Sequence, residues 1–114
     1  MNGTYLRFYV HENVKHQHRL LYEWLLERAK AMGVHGGSAF RAIAGFGRHG
    51  VLHEQHYFEL AGNLTVKVEF ILTDEMADRL LESIRQENVS VVYSRIPAIF
   101  DVTIERKDRP AGPG

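Results

Sequence analysis

An α+β domain of the ferredoxin-like type, ordered βαββαβ, is what the sequence predicts: a four-stranded antiparallel sheet with two helices on one face. Three observations carry that expectation. Several stretches alternate apolar and polar residues strictly, which marks half-buried strands. Two segments instead repeat their apolar residues at helical spacing. The two kinds of segment follow in the order strand, helix, strand, strand, helix, strand. A length of 114 residues suits one domain with one core, expected over 1–105, with 106–114 as a disordered tail.

Tyr5 to Val10 is the first strand, with Leu6, Phe8 and Val10 on one face and Tyr5, Arg7 and Tyr9 on the other. His11 to His18 is polar and reads as a loop. From Arg19 the period changes: Leu21, Trp24, Leu25, Arg28 and Met32 form a helical stripe, widened by Leu20 and Ala29. Trp24 reads as its core anchor. Gly33 stands where a left-handed residue would close this helix. Ser38 to Phe46 is expected as the second strand, and its small residues suit close approach of another layer. Leu64 to Thr73 is the clearest strand, with Leu64, Val66, Val68, Phe70 and Leu72 on one face. Thr73 caps the second helix, and Asp74 and Glu75 occupy its first turn, where the helix dipole favours acids. Met76, Leu80, Leu81 and Ile84 form its buried stripe. Val89 to Tyr93 reads as a strand, Pro97 as an interruption, and Ile99 to Ile104 as a short final strand. The second sheet face, where Ile43, Ile71 and the first-strand tyrosines could point, needs cover; self-association is the simplest source.

Composition excludes several classes. Fourteen basic residues balance fourteen acidic ones, so no field of one sign attracts nucleic acid or an anionic membrane. Without cysteine there are no disulfides, thiolate sites or thiol nucleophiles. The first residues lack the pattern of a signal peptide, and no apolar run approaches the roughly 20 residues of a membrane span. A soluble cytoplasmic protein is the expectation, with no membrane insertion. The strand Leu64 to Phe70 lacks the aromatic motif of an RNA-recognition module.

Gly47 to Asn63, about 17 residues, separates the second and third strands, whereas hairpin loops have roughly 2–5 and longer connections are commonly functional. Within it, His56 to Leu60 alternates as a short strand would. Gly45-Phe46-Gly47-Arg48-His49-Gly50 matches G-x-G-x-x-G, yet the helix that would hold a pyrophosphate does not follow. Two readings remain. The glycines let the chain twist out of a strand, or their freed N–H groups beside Arg48 and His49 form an anion-binding concavity.

The run Phe40 to Arg48, the pattern His53 to Leu60, and the strand Leu64 to Phe70 followed by Thr73-Asp74-Glu75 resemble an uncharacterised bacterial family of PII-like proteins. It is domain of unknown function number 190, related to nitrogen-regulatory PII signal-transduction proteins. The resemblance covers residues 4–104, and Gly45-Phe46-Gly47-Arg48 is similar to the base of the PII T-loop. It implies a non-enzymatic signalling subunit in a homotrimer, binding a small anionic effector or nucleotide in clefts between subunits. The effector-binding residues so implied are Gly45, Gly47, Arg48 and His49, with Arg106 as a looser C-terminal basic contact. The loop 47–63 would address a protein target. Gln86 to Ser90, which matches the PII B-loop, contains neither glycine nor lysine.

Seven histidines offer an alternative, a metal-binding module similar to the CutA proteins. His16 and His18 are two apart, and His49, His53 and His56 cluster in the long loop. His53-Glu54-Gln55-His56 is one residue short of the zincin spacing. No metal or cofactor is assigned. No catalytic residue is assigned either, because Asp74 and Glu75 are explained by capping and no serine stands in a nucleophile elbow. Arg7 and Arg41 are expected to pair with acids such as Glu69 at an interface.

Overall fold

The computed structural model describes residues 1–46, 52–53 (backbone only) and 64–105. Its main sheet is formed by β1 (Asn2–His11), β4 (Ser38–Arg41), β7 (Thr65–Leu72) and β8 (Val92–Ile99), in the spatial order β4-β7-β1-β8. All neighbours are antiparallel. Helices α1 (Leu21–Ala31) and α2 (Asp74–Gln86) bury their apolar stripes in one continuous core with this sheet. This is the ferredoxin-like α+β architecture expected from the order of elements. Among the described residues no helix is long and apolar enough to cross a membrane.

The core follows the alternation. Leu6, Phe8 and Val10 of β1 and Val66, Val68, Phe70 and Leu72 of β7 are all buried, against Trp24 and Leu25 of α1 and Ala77, Leu80, Leu81 and Ile84 of α2. Phe8 and Phe70 meet edge to face, with ring centroids 6.2 Å apart. Thr4, buried among them, donates from Oγ1 to Asp74 Oδ1 over 2.5 Å and so ties β1 to the start of α2.

Both helices end in the same way. At α1, Gly33 has φ +94°, its N–H donates to the Lys30 carbonyl (3.1 Å), and the Val34 N–H donates to that of Ala29 (3.0 Å). At α2, Asn88 has φ +58°, its N–H donates to the Arg85 carbonyl (2.9 Å), and the Val89 N–H donates to that of Ile84 (3.3 Å). These are Schellman closures, in which a left-handed residue redirects two amides to the last free carbonyls. The start of α2 also follows expectation, with Thr73 Oγ1 accepting from the Met76 N–H at 3.2 Å.

Four expectations about boundaries are corrected. The polar segment His11 to His18 is not all loop: β1 runs to His11, and β2 (Lys15–His16) pairs with β3 (Arg19–Leu20) as a tight hairpin. Gln17 and His18 both take positive φ (53° and 66°) to make a two-residue turn whose twist matches the strands it joins. α1 therefore starts at Leu21 rather than Arg19. The expected strand Ser38 to Phe46 is two pieces, because β4 leaves the main sheet after Arg41 and β5 (Gly45–Phe46) pairs with β6 (Leu52–His53) in a separate ribbon. Last, Val89 to Tyr93 and Ile99 to Ile104 are not two strands. β8 runs unbroken through Pro97, and 100–105 are not strand. Among the described residues β8 is an edge strand paired only with β1, so the missing proline N–H is tolerated there.

Candidate effector site

Cross-strand partners share a face, so the register assigns the second face of the sheet. Tyr5 lies opposite Ile71 and Ile96, Arg7 opposite Glu69 and Ser94, and Tyr9 opposite Lys67 and Val92. Phe40 of β4 lies opposite Lys67 on the same face. Ile71 and the tyrosines point there as the alternation predicts. Among the described residues no helix covers this face, and Phe40, Val92 and Ile96 stay 51%, 42% and 38% exposed.

Polar contacts run across it. Tyr5 Oη donates to Glu69 Oε2, and Lys67 Nζ stands 3.2 Å from the same carboxylate oxygen. The bond to Glu69 holds the Tyr5 phenol above its ordinary range, and burial adds to that effect. Lys67 also lies over the Phe40 ring (5.2 Å), and the Arg7 guanidinium lies over that of Tyr5 (5.2 Å). Arg7 Nε is buried and has no hydrogen-bond partner among the described residues. Within the subunit Glu69 is thus engaged by Tyr5 and Lys67. Arg41, the other arginine expected to pair with an acid such as Glu69, lies on the helix side opposite Val66 and binds Glu12 twice, Nε at 2.9 Å and Nη2 at 3.2 Å.

At the Arg41–Glu12 pair the arm departs. The Ala42 N–H still donates to the Thr65 carbonyl (2.7 Å), and then the chain leaves the sheet. Gly45 faces His53 and Phe46 faces Leu52 in the β5–β6 ribbon. Along the departing segment Ile43 is 77% and Phe46 70% exposed. A Cβ at Gly45 would meet nothing within 4 Å among the described residues, and its φ is not positive, so nothing in the described structure requires glycine there. A cavity of about 180 Å³ opens at the root of the arm, lined by Glu12, Tyr22, Ala39, Arg41 and Val66.

Of the expected effector residues, Gly45 is thereby placed at the base of the arm. Gly47, Arg48, His49 and Arg106 lie outside the described residues, as do His56 and the tail 106–114. Of the histidines considered as metal ligands, His16 instead contacts Glu87 (Nε2 to Oε1, 3.2 Å) and the Trp24 ring, while His18 is exposed in the hairpin turn. Among the described residues no group of three or more His, Cys, Asp or Glu could hold a metal ion.

Sequence reasoning missed the hairpin and its attachment to Glu87, since Gln-His carries none of the Asn-Gly signal that marks such turns. It also missed that β4 and β5 are separate. A dipeptide as small as Gly45–Phe46 has too few alternating positions to reveal a change of sheet.

A four-stranded sheet in this order, with two helices on one side, defines the ferredoxin-like α+β class. The chain belongs to the DUF190 family, described as Uncharacterized ACR, COG1993, whose model matches residues 3–93. Among its relatives are a UPF0166 protein of Aquifex aeolicus, 36% identical over 96 residues (77% of this chain and 91% of the relative), and one of Methanocaldococcus jannaschii, 32% identical over 76 residues (67% and 69%). The fold is similar to that of CPII, a nitrogen regulatory PII-like protein of Thiomonas intermedia K12, in a structure bound to ADP, AMP and bicarbonate (TM-score 0.63, 19% identity, covering 86% of this chain and 87% of that one). A second CPII structure, bound to ADP and bicarbonate, gives a TM-score of 0.58 at 23% identity, covering 86% and 87%. A PII-like protein of Thermus thermophilus gives 0.57 at 17% identity, covering 85% and 87%.

Proposed function

We propose that this protein is a non-enzymatic PII-like regulator. It assembles as a homotrimer and binds a small anionic effector in the clefts between subunits, beside the base of the arm. The observation that carries the reading is the run of apolar side chains left in solvent where the arm begins: Phe40, Ile43 and Phe46 are 51%, 77% and 70% exposed. Large apolar residues concentrated on one segment mark a contact surface. A neighbouring copy would bury them together with the uncovered sheet face. The unneeded glycine at position 45 fits the same picture, since it leaves room for close approach from outside the subunit.

Gly45, Gly47, Arg48 and His49 would then border the cleft. Glycine amides and a guanidinium suit an anion such as a phosphate or bicarbonate. Because CPII is bound to ADP, AMP and bicarbonate in its structures, these are the ligands to test first. Arg106 is proposed as a further basic contact, and 47–63 as the segment through which effector state is passed to a protein target.

Two measurements test the reading. Light scattering should give the mass of three chains, and a lone protomer would overturn the assembly. In thermal-shift titrations with ADP, AMP and bicarbonate, at least one should raise Tm, and R48Q should weaken that ligand about tenfold or more, the expected cost of one charge-assisted bond. No shift with any of the three at millimolar concentration would overturn effector binding at this site.

A further inference from the structure

We infer that the turn from α1 into β4 forms a second small-molecule site, which takes a small carboxylic acid with a ring or a branched chain as its apolar body. The site lies within one subunit and does not depend on the effector reading. A cavity of about 250 Å³ opens at this turn, and it shares no lining residue with the one at the root of the arm. Leu26 and Ala29 of α1, Val34 of the turn and Phe70 of β7 make its apolar wall. Ala29, Val34 and Phe70 belong to the buried core, and Leu26 packs against it half-buried. An apolar cavity of about 150 Å³ holds benzene, so this one has room for a six-membered ring and a short polar group.

Gly37 keeps the cavity open. A Cβ there would strike the Phe70 ring and come within 3.2 Å of Leu26 Cδ2, and both side chains line the space. With glycine in place the wall on that side is bare peptide. The N–H groups of His35, Gly36 and Gly37 donate to no acceptor among the described residues, so they are free to meet a ligand. The ionisable lining is Lys30 and His35, and it contains no acid. Lys30 forms no ion pair among the described residues, and Glu27, three residues before it on α1, is bonded by Arg19. A cation, free amides and no carboxylate favour an anion, held by charge-assisted bonds. One lysine answers one negative charge, which a carboxylate carries and a phosphate ester at neutral pH exceeds. The apolar wall sets the rest of the ligand, since ring or branched carbon buried there leaves water.

Benzoate is the probe, titrated into the isotope-labelled full chain and followed by amide NMR. It should shift the amides of 26–37 and of Phe70 saturably, with a Kd of about 1 mM, within reach of a ligand this small. Benzyl alcohol, which keeps the ring and drops the charge, should bind about tenfold more weakly. Acetate, which keeps the charge and drops the ring, should give no saturable shift. K30Q should weaken benzoate about fivefold and leave benzyl alcohol within about twofold. L26W, which fills the cavity with its own ring, should abolish the benzoate shifts while its spectrum away from the cavity matches the parent's. Should L26W fail to fold, K30Q and the ligand comparison decide. No saturable shift up to about 20 mM benzoate overturns the site. So do equal affinities for benzoate and benzyl alcohol, benzoate binding unchanged in K30Q, or shifts confined to 42–46 at the base of the arm. Shifts of 26–37 that follow protein concentration instead of benzoate also overturn it, because a second copy is then the occupant.

Discussion

Gly33 shows how one residue decides where an element stops. With φ +94° it holds a conformation that costs an L side chain about 1–2 kcal/mol, and a Cβ there would meet nothing within 4 Å. Gly33→Ala should therefore destabilise by about that amount, purely through the backbone, read as a lower midpoint in urea at unchanged slope. His18 is the converse case, a left-handed residue with no such licence, at φ 66°. Relief of that strain in His18→Gly should stabilise by up to about 1 kcal/mol, and Tm should rise by a few degrees. The difference explains what could be read in advance. Glycine after a helical stripe announces a left-handed cap, but Gln17 and His18 are forced into theirs by strands that only the fold brings together. Tyr5 belongs to this scale as well. Its phenol pKa is raised, so the bond to Glu69 contributes stability below the ordinary tyrosine range and loses it as pH rises through the shifted value. Tyr5→Phe should cost about 1 kcal/mol near neutrality, a difference that should vanish at strongly alkaline pH.

Elements were legible where local chemistry fixes them. α2 carries its start signal in Thr73, Asp74 and Glu75 and its buried stripe in Leu80, Leu81 and Ile84, and the structure follows both. Thr73→Ala should cost about 1 kcal/mol by leaving the Met76 N–H without its cap, measured by chemical denaturation. α1 has no side-chain cap at Leu20, and its first turns are braced instead by Arg19, whose guanidinium bonds Glu27. That bond holds the Glu27 carboxyl below the usual carboxylate range. A depressed pKa supplies stability above the ordinary range and loses it as pH falls through the shifted value. Arg19→Gln should thus be the less stable protein at neutral pH and equal the parent once Glu27 is protonated, a comparison of two acid-unfolding curves. Elements whose ends depend on partners were not legible. Pro97 suggests a break, yet β8 passes through it because an edge strand can spare that N–H. The separation of β4 from β5 depends on Leu52–His53, which no periodicity in Ser38 to Phe46 foretells.

For the whole molecule, the alternating faces of β1 and β7 and the two helical stripes specify the core, which explains why fold class followed from the sequence; of the expected effector residues only Gly45 is among those described. The exposure of Ile43 and Phe46 along the departing segment leaves no period in the chain. Placement of β1 in the sheet has a further effect on how the chain comes to order. Its partners are residues 65–72 and 92–99, so β1 lies inside the finished sheet between two strands that are made after it. Leu6, Phe8 and Val10 must wait until residues 65–72 and 92–99 are made for the neighbours that shelter them. Contacts so distant along the chain make folding slow. A nascent chain of this design carries that apolar ribbon uncovered until both flanking strands emerge, so crowding during synthesis should bear on how much of the protein a cell recovers.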